Sequence, residues 1–171
     1  MPMPSSILIG LGANIPSEEY GPPKKTLEAA LNSFVRVGIQ IKNQSRWYSS
    51  LPMPKSDQPS YMNSVVEVKT QLSPYDLLNV LLDIEIKFGR KRSVVNAARA
   101  IDLDLLAYGD LINEESRLHI PHPRIAERAF VLMPICDINP EWRHPKTGKS
   151  AQEMVIDINH SHESSSCFVV S

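Results

Sequence analysis

The chain has 171 residues, 42% of them hydrophobic, which suits a single domain with a real core. Eighteen basic against 19 acidic residues leave a net charge of -1, which gives no overall footprint for nucleic acid or an anionic membrane. No apolar run approaches the roughly 18–20 residues of a membrane span, and "MPMPSSILIG" lacks the basic and long apolar regions of a secretory leader, so the expected compartment is the cytoplasm.

Residues 7–11, "ILIGL", read as a short buried strand broken by "GLGANIP". Residues 24–36 place Leu27, Ala30, Leu31 and Phe34 on one helical face, with Gly38 just past the end. Residues 39–48 begin with alternation and read as a strand. Residues 49–60, "SSLPMPKSDQPS", hold three prolines and four serines and read as a long loop of the functional kind. A strand follows over 62–70. Ser73 is placed as an N-cap with Pro74 at the first helical position. The helix carries Leu77, Leu81, Ile84 and Phe88 as its apolar stripe and stops at Gly89.

A basic loop, "RKRSVVNAAR", precedes the strand "ARAIDLDLLAYG". A strand pair is expected near 111–120, a short helix and an apolar run over 124–135, turns in "PEWRHPKTGK", and a last helix over 150–158. Cys136 falls in the apolar "FVLMPICDI" and reads as a small core residue; with Cys167 far away, neither a disulfide framework nor a cysteine zinc site is expected. The order β, α, β, β, α, β predicts an α+β fold: a ferredoxin-like βαββαβ core with additional strands and a C-terminal helix, in three αβα layers. Residues 1–159 are taken as one domain and 160–171 as a polar, disordered C-terminal tail.

The chemistry centres on "AIDLDLL". Alternate strand residues share a face, so Asp102 and Asp104 point one way, and Ile101, Leu103 and Leu105 point into the core. Two like charges on one face need a cation between them or a wet cleft. Mg²⁺ suits such a pair, since it takes one or two carboxylates and fills its other positions with water and phosphate oxygens. A solvated strand face of alternating charge accounts for the same pattern. Arg90, Lys91, Arg92 and Arg99 lie just upstream; they read either as surface ion pairs or, together with a metal, as a clamp for phosphoryl transfer.

"IPHPRIAERAF" adds His122, Arg124, Arg128 and Phe130, with His122 as a phosphate contact and no zinc site with His119. Tyr61 and Asn63 read singly as a turn tyrosine and a capping asparagine, and together as a stacking ring and an amide for a flat heterocycle. "GLGANI" is not a dinucleotide fingerprint, and there is no G-x-x-x-x-G-K-[ST] phosphate loop.

Taken together, "IGLGAN", "DQPSYMNSVVEV", "LLDIEIKFGRKR", "ARAIDLDLLAYG" and "LHIPHPRIAERAFVLMPICDINP" resemble the 6-hydroxymethyl-7,8-dihydropterin pyrophosphokinase family, over about residues 7–158. The resemblance implies a transferase of folate biosynthesis that moves pyrophosphate from ATP to the hydroxymethyl group of the reduced pterin and releases AMP. It implies that Asp102 and Asp104 hold two Mg²⁺ ions and that Arg90 and Arg99 join them as catalytic residues. Glu85, Arg90, Arg92, Arg99, His122 and Arg128 would address ATP. Ser50, Leu51, Met53, Tyr61, Asn63 and Phe130 would hold the pterin, with Tyr61 and Phe130 on its two faces.

The loops 49–60 and 90–99 would act as lids. The family commonly has Trp-Gly-Pro-Arg before the aspartate strand; here Asn96, Ala97 and Ala98 precede Arg99. Expected partners are small molecules only, with no nucleic acid, no membrane and a monomeric state. Alternatives are a pterin- and ATP-binding paralogue with impaired turnover, a nucleotide-sugar transferase using Asp-x-Asp, and an RNA-binding module. The last is disfavoured by 6% aromatic residues and the near-zero charge.

Overall fold

The computed structural model describes residues 6–52, 55–89, 100–160 and 167–170. Its elements are β1 (Ile7–Ala13), α1 (Pro23–Ser33) with a 3₁₀ turn over Phe34–Val37, β2 (Ile39–Gln44), β3 (Tyr48–Ser50), β4 (Tyr61–Thr70) and α2 (Pro74–Lys87). These are followed by β5 (Asp102–Tyr108), β6 (Asn113–Glu114), β7 (His119–Ile120), α3 (Ala129–Ile138), α4 (Ala151–His160) and β8 (Cys167–Val169).

The main sheet runs β5-β1-β4-β3-β8, with β2 also paired to β4. β2 and β3 lie end to end along β4, so the core order is that of a split βαββαβ unit with every pairing antiparallel. Side chains that alternate across this sheet feed two separate cores. On one face Ile9, Leu11, Val66, Leu103 and Leu105 meet Leu27, Ala30 and Phe34 of α1 and Leu77, Leu81 and Ile84 of α2. On the other, Leu8, Tyr48, Val65 and Leu106 meet Leu132 and Ile135 of α3 and Met154 and Ile158 of α4. The three-layer αβα arrangement follows.

The helix ends obey local rules. The Ser73 hydroxyl accepts the Asp76 N–H at 3.2 Å, with Pro74 at the first helical position. Ser150 and Glu153 form a reciprocal capping box at the start of α4, at 3.1 and 3.2 Å. Gly38 ends the first helical segment at φ 83°, a conformation in which a side chain would be strained.

Two expectations are corrected. The strand expected over 39–48 is interrupted at 45–47 and resumes to Ser50. Ser45 stands in for the ladder there: its N–H donates to Val65 O and its Oγ accepts from Val65 N–H, each at 2.9 Å. The polar tail expected over 160–171 is ordered at its end. Cys167–Val169 form β8 against β3, with Val169 opposite Tyr48 and Cys167 opposite Ser50. The run Cys-Phe-Val-Val has strand propensity, and it covers an edge of β3 that would otherwise be open while burying Cys167.

At the break, Tyr48 is buried and donates its hydroxyl to Asp137 Oδ2 of α3 at 2.9 Å, while Arg46 reaches Asp137 Oδ1 at 2.8 Å. Burial pushes the Asp137 carboxyl up, but the bonds from Arg46 and Tyr48 outweigh it and hold the group below the usual range. This stabilisation is present above the unfolded carboxylate pKa of about 3.9 and is lost as pH falls through the lower folded value. Asp137→Ala is expected to cost about 1–3 kcal/mol at neutral pH, since it removes the acceptor of the Tyr48 O–H and leaves that hydroxyl only the 3.2 Å bond from Arg46 Nη2. In urea titrations, the gap between wild type and variant should narrow below about pH 4.

Candidate active site

β5 is the edge strand beside β1, and its face parity follows from the pairing. Leu103 and Leu105 enter the α1/α2 core, so Asp102 and Asp104 project from the opposite face. α3 and α4 do not cover that end of the sheet. A cleft of about 850 Å³ opens there, lined by both aspartates.

Its floor is formed by rows of three strands. Asp102 faces Gly12, and Gly12 faces Asn63; one step along, Asp104 faces Gly10, and Gly10 faces Val65. The middle residue of each row is thus a glycine. A Cβ on Gly12 would sit 3.2 Å from Asn63 Oδ1 and 3.8 Å from Tyr61 Cδ1; one on Gly10 would sit 3.2 Å from Leu106 Cδ1. Gly12 is therefore bare floor between the Asp102 carboxylate and the Asn63 amide, while Gly10 leaves room for the Leu106 side chain beside it. Two glycines two residues apart in a strand were the signal for it.

Glu85 is almost fully buried on the sheet-facing side of α2, and its Oε2 accepts the Leu103 N–H at 2.7 Å. That amide lies between the two aspartates, so α2 fixes the edge strand at the point where its charged side chains are presented. At the other end of the cleft Asn63 is buried, and its Nδ2 donates to Ser50 Oγ at 2.7 Å. Tyr61 and Phe130 both line the cleft, as do Ser50 and Leu51. Asn14, at the end of "GLGAN", donates to Gln58 Oε1 at 3.0 Å and to Pro59 O at 3.2 Å, tying the long loop to β1.

The third wall holds His122 and Arg128. His122 N–H donates to Leu106 O at 2.9 Å, and its Nδ1 accepts the Arg124 N–H at 3.2 Å. The neutral ring therefore carries its proton on Nε2. Burial and then the Arg128 charge push the His122 pKa down to about 4, against the opposing pull of Asp102. The Arg128 guanidinium lies 5.5 Å from the Phe130 ring centre. Arg117 was not singled out from sequence; it lines the cleft with its guanidinium held by Asn79 Oδ1 of α2 at 2.7 Å. Only its place in the turn of the strand pair expected near 111–120, between β6 and β7, separates it from other surface arginines.

The cleft thus brings together Asp102, Asp104, Glu85, His122, Arg128, Ser50, Leu51, Tyr61, Asn63 and Phe130 from the sequence expectations. Arg90, Arg92, Arg99 and Met53, with the Asn96-Ala97-Ala98 departure, lie outside the described residues. A pair of carboxylates on one face with water and phosphate positions left open suits Mg²⁺. The histidine N–H donor and the arginines suit an anionic ligand, the carboxylates do so only through a bound cation, and the aromatic and amide end suits a flat heterocycle.

The fold and cleft define a class: an α+β protein with a ferredoxin-like core and an acidic, basic and aromatic cleft at one end of its sheet. A family model described as 7,8-dihydro-6-hydroxymethylpterin-pyrophosphokinase (HPPK) matches residues 8–140. The chain is 40% identical over 153 residues to the 2-amino-4-hydroxy-6-hydroxymethyldihydropteridine pyrophosphokinase of Synechocystis, covering 89% of this chain and 75% of that one. To the Pseudomonas aeruginosa protein of the same name it is 36% identical over 140 residues, covering 81% and 83%.

The chain belongs to this pyrophosphokinase family. A folic acid synthesis protein of Pneumocystis carinii is 41% identical over 156 residues, which cover 89% of this chain and 20% of that longer protein. The fold matches the crystal structure of a Plasmodium falciparum HPPK-DHPS triple mutant with SDX-DHP at a TM-score of 0.72 and 16% identity, covering 98% of this chain and 48% of that one.

In the ligand-free protein the His122 ring is expected to titrate near pH 4, and Arg128→Ala should raise that midpoint. Between the ordinary histidine value of about 6.5 and about 4, the unfolded chain binds a proton that the folded chain does not, so this residue lowers stability as pH falls. Ring-proton NMR against pH checks it; a midpoint near 6.5 would contradict the buried neutral ring.

Proposed function

We infer that the chain catalyses transfer of pyrophosphate from ATP to the hydroxymethyl group of 6-hydroxymethyl-7,8-dihydropterin, a step of folate biosynthesis. The observation that carries the reading is the cleft itself, in a chain of this family. Paired carboxylates stand at one end of a glycine floor and a buried amide beside a tyrosine at the other. The hydroxymethyl oxygen attacks the β-phosphorus of ATP, the bond from that phosphorus to the oxygen bridging to the α-phosphorus breaks, and AMP leaves as the hydroxyl proton is lost.

Such a transfer needs little covalent help; it needs an in-line approach and neutralised charge. Tyr61 and Phe130 hold the pterin ring by its faces, and Asn63 meets its edge. Neutral His122 offers its Nε2–H to phosphate oxygen, and Arg128 adds positive charge. Arg90, Arg92 and Arg99 complete the clamp. Glu85 holds β5 in place through Leu103.

The donor set of Asp102 and Asp104 fits Mg²⁺, which would supply charge neutralisation of the triphosphate when bound. On this reading the enzyme is Mg²⁺-dependent, cytoplasmic and monomeric. Asp102→Ala and Asp104→Ala are each expected to cut AMP formation by about a hundredfold or more while the folded circular-dichroism spectrum is kept. The assay follows AMP from ATP, Mg²⁺ and the reduced hydroxymethylpterin. Full activity in either variant sinks the carboxylate assignment; ADP in place of AMP sinks the reaction.

A further inference from the structure

We propose that the C-terminal strand β8 is a positioning element for the pterin end of the cleft, acting through β3. The proposal rests on the reading of Asn63 as a pterin contact. The family match ends at residue 140, so β8 lies beyond the matched residues. β3 has three residues, and its last, Ser50, begins the departure into the long loop that returns at Tyr61. One side of β3 is paired to β4 and the other to β8, with Cys167 opposite Ser50 and Phe168 opposite Ser49. The Val170 N–H also donates to Trp47 O at 2.9 Å, so β8 brackets β3 at both ends.

Ser50 sets the orientation of the Asn63 amide. Its Oγ takes the Nδ2–H at 2.7 Å, while Asn63 Oδ1 lies over Gly12, 3.2 Å from where a Cβ would stand. An amide turned the other way would present a donor where it now presents an acceptor. Removing β8 leaves β3 as a three-residue edge strand, and an edge this short frays readily. Where β3 has frayed, Asn63 Nδ2 keeps only its long 3.4 Å bond to Tyr61 O on its own strand, and the amide is less firmly directed. Apparent pterin affinity then falls by the fraction still in register, while the complex that does form is unaltered. The cost therefore falls on KM for the pterin and not on kcat.

Antiparallel pairs alternate between bonded and non-bonded, and the bond at Trp47 and Val170 makes Ser49 and Phe168 the next bonded pair. Phe168→Pro removes that N–H; Phe168→Thr keeps it and keeps strand propensity. The Phe168 side chain itself is exposed. The test compares wild type, a chain ending at His160, Phe168→Pro and Phe168→Thr. Each is measured for kcat and for KM of both substrates, with amide hydrogen exchange over Ser49–Leu51.

The truncated chain and Phe168→Pro are expected to raise KM for the pterin roughly three- to tenfold, with kcat and KM for ATP within about twofold. Exchange at Ser49–Leu51 should rise, and Phe168→Thr should restore wild-type values. An unchanged pterin KM in either folded variant overturns the proposal, as does an equal rise in both KM values. Failure of both to fold also overturns it, since β8 would then be a folding element. Absence of AMP formation in wild type would instead fail the reading of the function.

Discussion

Two carboxylates on one face of an edge strand constrain everything around them. Asp102 and Asp104 cannot be covered by apolar packing without a cost of several kcal/mol each, so the sheet face that carries them has to stay open at that end. The other face of the same strand is committed to the core by Leu103 and Leu105. A single-residue shift of register would exchange the two sets and expose the leucines. Glu85 guards against this by binding the Leu103 amide between the aspartates. A buried carboxylate is thus used to hold two others at the surface of a cleft.

Openness is then extended across the sheet by the absence of side chains. Gly10 and Gly12 give up packing area and strand propensity at positions where most strands carry a β-branched residue. The neighbouring positions of β1, Ile9, Leu11 and Ala13, recover that area on the opposite face. The result is a continuous floor from the aspartates to Asn63. On the proposed function, the phosphate chain and the heterocycle lie over it without a ridge between them. Helices α3 and α4 stop short of the floor, so the same face is core at one end and cleft at the other.

Much of this was legible from residue pattern. The helix stripes, the Ser73 cap and the parity of Asp102 and Asp104 depend on neighbours in the chain, and local rules of period and capping read them. The Ser45 break was not legible, because it depends on Val65 and Ser64 from another strand. β8 was hidden for a similar reason: three residues after a serine run are strand only because β3 offers an edge. Gly10 and Gly12 were visible, and no phosphate-binding fingerprint was read into them, but "GLGANIP" was read as a break in a strand that in fact runs through both glycines to Ala13, because their meaning lay in the strands on either side. Arg117 carries no local mark; its orientation comes from Asn79, far away in the chain.

The two ends of the cleft are built with different stiffness. The aspartate end has a seven-residue strand paired to β1 along its length and held from outside by a buried glutamate. The His122 wall adds a ring whose proton position is set by the backbone. Charge neutralisation depends on distance, so it benefits from groups that cannot move. The amide end carries Asn63 and Tyr61 on the ten-residue β4, but it is bordered by a three-residue strand, a proline-rich loop and side-chain ties from Asn14 and Ser50. On the proposed function, a loop that closes over the pterin ring has to yield first, which suits anchors that are hydrogen bonds. On the proposed function, phosphate chemistry falls to the aspartate end and pterin recognition to the amide end, and the two substrates meet over the glycine floor between them.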